Sequence, residues 1–188
     1  MAENKVKFGL DQVHYAVLTS DTDGTAVYSS PVAIPGAVSL TLDADGDLTE
    51  FYADNMAYYV SAANNGYSGT LEVARMPDSF RKDVLGEVED ALAGTLLEKA
   101  DAEPKPFALL FQFGGDQKKV KHVLYNCSVT RPSINGNTTS KTKEPETESL
   151  SIKCAALSNG NVKAKTTGAE DGTAYADWFT TVWQPSKE

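Results

Sequence analysis

Two histidines and two cysteines are the side chains of this sequence best suited to nucleophilic or metal chemistry. His14 and His122 lie in runs that alternate like β-strands, which favours packed or exposed strand histidines over a catalytic pair. Cys127 and Cys154 belong to no CxxC pattern or His/Cys cluster, so neither structural zinc nor a disulfide framework is predicted. A Ser/His/Asp site need not be local in sequence, but nothing in the chain supports one. We therefore predict no catalytic residue, no cofactor and no metal, hence no enzyme.

One acidic segment partly matches a calcium-binding loop. Asp43, Asp45 and Asp47 alternate with Ala44 and Gly46, and Asp54 stands at the twelfth position. The pattern lacks the glycine expected at the sixth position and the glutamate expected at the twelfth. Its flanks are typical of strands rather than of the helices that frame such loops. A polar hairpin tip is the preferred interpretation, and a calcium site is the alternative.

The charge of the chain is strongly uneven. The formal net charge is -9, and no Lys or Arg occurs between Lys7 and Arg75. An acidic chain of this kind is a poor candidate for binding nucleic acid, because such binding requires a basic face. The base-free stretch is interpreted either as a solvated acidic surface or as a surface that repels an anionic partner. The second interpretation points to five residues: Asp43, Asp45, Asp47, Glu50 and Asp54.

The N-terminus and the apolar runs argue against export and membrane insertion. Residues 1–20 lack the apolar core of a signal peptide. No apolar run approaches the roughly 20 residues that span a bilayer. We expect a protein kept in a reducing cytosol, with both thiols free, buried and inert.

Short strand-like runs separated by turn residues predict a mainly β fold. The turn clusters include residues 21–25, 43–47, 64–66, 114–116 and 159–161. In the clearest hairpin, residues 106–130, alternation predicts one buried and one polar face, with Cys127 on the face of Val123, Tyr125 and Val129. The predicted strands are 13–18, 26–28, 37–42, 69–76, 106–113, 119–130 and 149–157.

Two helices and two long polar segments complete the expected organisation. A helix is predicted from Asp78 to about residue 85, with an extension to residue 92 as the alternative, and a second short helix at 174–183. Polar segments 131–148 and 158–173 read as loops, and loops this long usually serve a purpose such as partner contact. We expect one domain over 1–188, an N-terminal arm at 1–12, a polar loop at 131–148 and a C-terminal extension at 166–188.

Several long segments resemble one protein family in their order and spacing. The chain is similar, over residues 5 to about 165, to the phi-thirteen-type major tail proteins of long, non-contractile phages of Gram-positive bacteria. The match weakens over the last twenty or so residues. The matching segments are KFGLDQVHYAVLT at 7–19, YSSPVAIPGAVSLTL at 28–42, FYADNMAYY at 51–59, NGYSGTLEVARMPDSFRKDVLG at 65–86, PFALLFQFGGDQKKVKHVLYNCSVTRPS at 106–133 and EPETESLSI at 144–152.

The resemblance implies a structural virion protein of the phage tail. The implied fold is a β-sandwich or partial barrel of two packed antiparallel sheets with one flanking α-helix. Such proteins assemble into stacked hexameric rings, whose tube conducts the genomic DNA without binding it specifically. The implied partners are further copies of the chain and other tail proteins, such as the tape measure and the tail terminator. The protein would be made in the bacterial host cytoplasm and end in the virion tail, with no membrane association.

Combining the resemblance with the charge pattern gives a site hypothesis. Some of the five acidic residues named above are expected to face the lumen or the joint between rings. The alternative function is a monomeric β-sandwich module for adhesion or carbohydrate binding, which should cluster exposed aromatic side chains on one face. The candidates for such a cluster are Tyr52, Tyr58, Tyr59 and Tyr67.

Overall fold

The structure is a computed structural model that describes residues 6–90, 92–116, 118–134, 136, 138, 145–167 and 172–185. Within these ranges the chain forms thirteen strands and two short helices. No helix among the described residues is long and apolar enough to cross a membrane. The strands are β1 (Leu10–Thr22), β2 (Thr25–Tyr28), β3 (Val32–Ala33), β4 (Ala37–Asp45), β5 (Leu48–Ala53), β6 (Met56–Ala62), β7 (Gly66–Val73), β8 (Val88–Asp90), β9 (Thr95–Leu97), β10 (Phe107–Phe113), β11 (Lys121–Val129), β12 (Glu148–Ala155) and β13 (Lys163–Lys165); the helices are α1 (Asp78–Asp83) and α2 (Thr173–Ala176).

A nine-stranded antiparallel sheet dominates the molecule. Its main path runs β2-β1-β10-β11-β12-β7-β4, while β3 pairs with β1 and β13 with β11. The first half of β11 pairs with β13 and the second half with β12, so the sheet divides at this strand. The mainly β fold with packed antiparallel layers is therefore confirmed, and the two layers are halves of one sheet.

The main core lies between these halves and is closed by α1. Phe80 of α1 is fully buried, and its ring makes edge contacts with the rings of Tyr15 and Phe107 at 5.0 and 5.5 Å between centroids. The Tyr15 hydroxyl donates a hydrogen bond to the Asp83 carboxylate at 2.8 Å, which ties the helix to β1. Burial raises the pKa of Tyr15 to about 12. The predicted helix docking is confirmed, but its extension to residue 92 is wrong because residues 88–90 form β8.

A second core on the opposite face of β1, β10 and β11 gives the C-terminal segment a structural role. Trp178 and Val182 are buried there beside Leu110 and Tyr125. The Trp178 indole N–H donates to the His122 carbonyl at 3.2 Å, and the Lys121 ammonium donates to the Tyr175 carbonyl at 2.7 Å. The predicted second helix is shorter than expected, since α2 ends at Ala176 and turns follow it.

The prediction of one buried and one polar face for the 106–130 hairpin is wrong. Six of the seven β10 residues are buried, because this strand has a core on each face. A bulge in β11 also reverses the alternation between Leu124 and Cys127. Val123 and Tyr125 consequently point into the second core, whereas Cys127 and Val129 point into the main core.

Both cysteines are free and buried, as predicted. Cys127 and Cys154 are register partners on adjacent strands, and both are fully buried. Burial and the neighbouring Cys154 thiol raise the pKa of the Cys127 thiol, so its thiolate form is disfavoured.

The structure describes the predicted loops in part. Of the 131–148 loop, residues 135, 137 and 139–144 lie outside the described residues, as do residues 1–5 of the N-terminal arm. Within the arm, Leu10–Gln12 already belong to β1. The predicted 158–173 loop contains β13, which pairs with His122, Val123 and Leu124 of β11.

Candidate assembly surface

The largest group of exposed apolar side chains in the described chain lies on a hairpin that the turn signals did not predict. Strands β5 and β6 pair with each other and reverse at Asp54 and Asn55, whose φ values are 52° and 60°. Positive φ at both central residues is what a tight two-residue hairpin turn requires, and Asp and Asn tolerate it well. We call Leu48–Ala62 the distal hairpin.

The distal hairpin prolongs the β4–β7 pair rather than forming a separate unit. Ala63 donates a backbone hydrogen bond to Asp47 at 3.0 Å, and Asn65 donates one to Asp45 at 2.8 Å. The chain therefore runs straight through residues 43–47, and the prediction of a hairpin tip there is wrong. Gly46 is required for close approach instead, since a Cβ atom at this position would collide with the Ala63 carbonyl.

Large apolar side chains cover the distal hairpin and remain in water. Their exposed fractions range from 49% to 71%. For comparison, the Phe80 side chain of the core has an exposed fraction of 0%. A cluster of this size on a soluble protein usually marks a site of interaction. The side chains concerned are Leu48, Phe51, Tyr52, Met56, Tyr58, Tyr59 and Val60.

Both faces of the distal hairpin are apolar. Phe51 is paired with Tyr59 on one face, and Glu50 is paired with Val60 on the other. Tyr52 shares the Glu50 face, where its hydroxyl donates to the Glu50 carboxylate at 2.6 Å. Both faces therefore leave large apolar side chains uncovered by the described part of the chain.

The five acidic residues predicted as a site lie along this ribbon of strands. Asp43 and Asp45 alternate with the core-packed Leu40 and Leu42, so they point away from the main core. Asp45 is half-buried and pairs with Lys153 at 3.4 Å. Asp47, Glu50 and Asp54 are exposed: Asp47 directly precedes the distal hairpin, Glu50 lies in β5, and Asp54 lies at the tip.

The structure gives the calcium alternative no support. Among the described residues, no three or more His, Cys, Asp or Glu side chains form a group that could hold a metal ion. Asp54 lies at the hairpin tip, a full strand away from Asp47, because β5 separates them. The five acids form a line rather than a cage.

The two histidines are held by aromatic stacking in separate surroundings. The His14 ring stacks on Phe179 at 4.8 Å, and the His122 ring stacks on Phe111 at 5.0 Å. Burial, assisted by Lys165 and Lys7, lowers the pKa of His122 to about 4, so the ring is neutral near pH 7. Both contacts agree with the predicted role as packed strand histidines.

The four tyrosines that the sequence offers as candidates for an exposed aromatic cluster do not share one face, since Tyr52 and Tyr59 lie on opposite faces of the distal hairpin. Tyr52, Tyr58 and Tyr59 lie on the distal hairpin, while Tyr67 lies in β7 at its base. The sequence signal that would have identified the hairpin is the run FYADNMAYYV at 51–60, in which two strand-like runs flank Asp-Asn.

Comparison with known proteins gives a shared fold at low sequence identity. No family model matches the chain, and no curated protein has significant sequence similarity to it. A chain from the six-fold symmetrised cryo-EM structure of the anti-feeding prophage baseplate is 11% identical, and the alignment covers 90% of this chain and 99% of that one, with a TM-score of 0.50. A chain of the tube-terminating cap of the anti-feeding prophage is 10% identical over 88% of this chain and 96% of that one, with a TM-score of 0.46. At 11% identity, the first likeness is evidence of fold alone.

Proposed function

We propose that this chain is a structural, non-enzymatic tail protein of a phage or phage-like particle, and more specifically a major tail protein that forms stacked hexameric rings. The observation that carries the proposal is the distal hairpin, a two-stranded ribbon with large apolar side chains exposed on both faces. A ring of identical subunits supplies a covering surface for it at every position.

Two further observations support the tail assignment. The long segments quoted above resemble phi-thirteen-type major tail proteins in order and spacing. The fold is shared with a chain of the anti-feeding prophage baseplate, whose structure was six-fold symmetrised. Ring formation also joins sheet edges between neighbours, which removes exposed backbone hydrogen-bonding groups. The tape measure and tail terminator would be further partners, and the virion tail would be the final location.

Removal of the distal hairpin tests the proposal. Residues 48–62 are replaced by Asn-Gly, which suits a two-residue turn between the hydrogen-bonded Asp47 and Ala63. None of the buried core residues of the described chain lies in the deleted segment. We expect a folded monomer with an almost unchanged melting temperature that forms no rings or tubes, measured by sedimentation velocity and negative-stain imaging.

The matched control alters exposed apolar residues of the other small hairpin. Val88 and Leu97 pair across β8 and β9 and are 47% and 56% exposed. The double variant Val88→Ser, Leu97→Ser should assemble like the wild type. Normal tubes from the hairpin-deleted chain would overturn the proposed role of this surface.

A carbohydrate-binding or adhesion module is the second candidate. The observation that favours it is the exposure of Tyr52, Tyr58 and Tyr59 on one hairpin, although Tyr52 and Tyr59 lie on opposite faces. This candidate predicts a monomer at all protein concentrations, so the same sedimentation measurement distinguishes the two.

A further inference from the structure

An apolar pocket of about 260 Å³ opens between the two halves of the sheet. Leu40 and Leu42 of β4 form one wall, and Phe111 and Phe113 of β10 form the opposite one. Pockets for drug-sized ligands usually measure ~300–1,000 Å³. This pocket is smaller and suits one or two protein side chains.

Two lysines make the mouth of the pocket positive. The Lys7 ammonium lies 4.9 Å from the centre of the Phe113 ring, and the Lys163 ammonium lies 4.4 Å from the centre of the Tyr67 ring. Lys163 also donates a hydrogen bond to the Tyr67 hydroxyl. None of the described residues that line the pocket is a carboxylate.

The His122 side chain forms part of the pocket wall. Burial is the main cause that lowers the pKa of this ring, and the nearby Lys165 and Lys7 ammonium groups lower it further. The ring is therefore neutral near pH 7 and adds no charge of its own. The two rim lysines are available to an acidic partner.

The distal hairpin has the complementary chemistry. It contains Glu50 and Asp54 but no Lys or Arg, and its apolar side chains are exposed. On one face, Tyr52 and Glu50 are held together by their hydrogen bond. None of the described pocket-lining residues belongs to the hairpin of the same chain. A second copy is thus the partner that this pairing of surfaces requires.

We propose that the Glu50 face of the distal hairpin of one copy packs an aromatic side chain into the Leu42–Phe113 pocket of the next copy, with Glu50 or Asp54 paired to Lys163 and Lys7. The inference rests on the proposed function and names the receiving surface within it. Donor and acceptor are different parts of the chain, so the contact is heterologous and propagates around a ring or along a stack.

Charge reversal at both ends of the contact tests the pairing. We expect Glu50→Lys and Lys163→Glu each to weaken self-association at least about tenfold near 0.15 M salt, because like charges then meet in a partly dehydrated site. The double variant should regain most of the loss. The readout is the association constant from sedimentation, with circular dichroism as the check on folding.

Two additional variants keep the test interpretable. Lys7→Glu lies in residues 6–9, outside the strands, and should weaken association without affecting the fold. Lys99→Glu makes the same charge change at an exposed position that does not line the pocket, and should leave association unchanged.

The outcomes distinguish a failure of this inference from a failure of the proposed function. If the single variants at Glu50, Lys163 and Lys7 assemble normally while the hairpin-deleted chain does not, the pocket is not the acceptor and the proposed function stands. If the single variants fail and the double variant is not rescued, the direct pairing is overturned. If the wild type never assembles, the proposed function fails, and this inference fails with it.

Discussion

Replacing Phe80 by Ala is expected to lower the free energy of unfolding by about 3–5 kcal/mol, the usual range for a buried phenylalanine. Phe80 is fully buried between the Tyr15 and Phe107 rings, with which it makes edge-to-face contacts. Truncation would remove both aromatic contacts and leave a cavity where α1 meets the sheet. Denaturant unfolding followed by circular dichroism measures the effect.

The chain supplies a matched control for this substitution. Phe51→Ala deletes the same atoms from a side chain that is 61% exposed on the distal hairpin. For the monomer we expect a loss within about 0.5 kcal/mol, as for most surface substitutions. A loss below about 1 kcal/mol for Phe80→Ala would mean that α1 does not support the core in the way described.

Introducing lysines at Asp43 and Asp47 is expected to make assembled tubes retain double-stranded DNA. DNA carries one negative charge per roughly 1.7 Å of its axis, and every basic contact adds affinity through counterion release. Acids facing the lumen would instead repel the duplex as it passes. Both residues are exposed and lie in the base-free stretch of the chain. DNA retention by purified tubes, or the rate of genome ejection, measures the effect.

The salt dependence and a control variant identify the cause. Retention by the Asp43→Lys, Asp47→Lys tubes should fall steeply as salt rises, whereas wild-type tubes should retain no DNA. Asp101→Lys, Glu103→Lys makes the same charge change at exposed positions outside the base-free stretch. Normal ejection through tubes whose lysines are verified to face the bore would show that lumen charge is unimportant. A tube structure in which the carboxylates of all five acids lie on the outer wall would contradict the lumen hypothesis.

The strands with strong local signals were predictable from the sequence. Strand-favouring residues between turn clusters located β1, β2, β4, β7, β10, β11 and β12, and α1 followed from its start signal and apolar spacing. The buried face of β10 could not be assigned from the sequence, because a core lies on each side of this strand. The bulge in β11 leaves no mark in its composition, yet it sends Val123 and Cys127 to opposite cores.

The candidate assembly surface was harder to predict than the core. Asp43–Asp47 has the composition of a turn, but pairing with residues 63–68 keeps it extended. Tertiary pairing thus outweighed local turn preference. Tyr52, Tyr58 and Tyr59 were recognised as exposed candidates, but their joint placement depends on β5–β6 pairing. The pocket combines side chains from β4, β7, β10, β11, β13 and the N-terminal segment, which no local pattern can reveal.

Cryo-electron microscopy of the purified protein at high concentration tests the central claim most directly. We predict hollow six-fold rings or tubes in which the distal hairpin of each copy is covered by a neighbouring copy. Isolated particles of a single 20.2 kDa chain at every concentration would contradict the account. So would an assembly in which Phe51, Tyr52 and Tyr59 of every copy remain exposed to solvent.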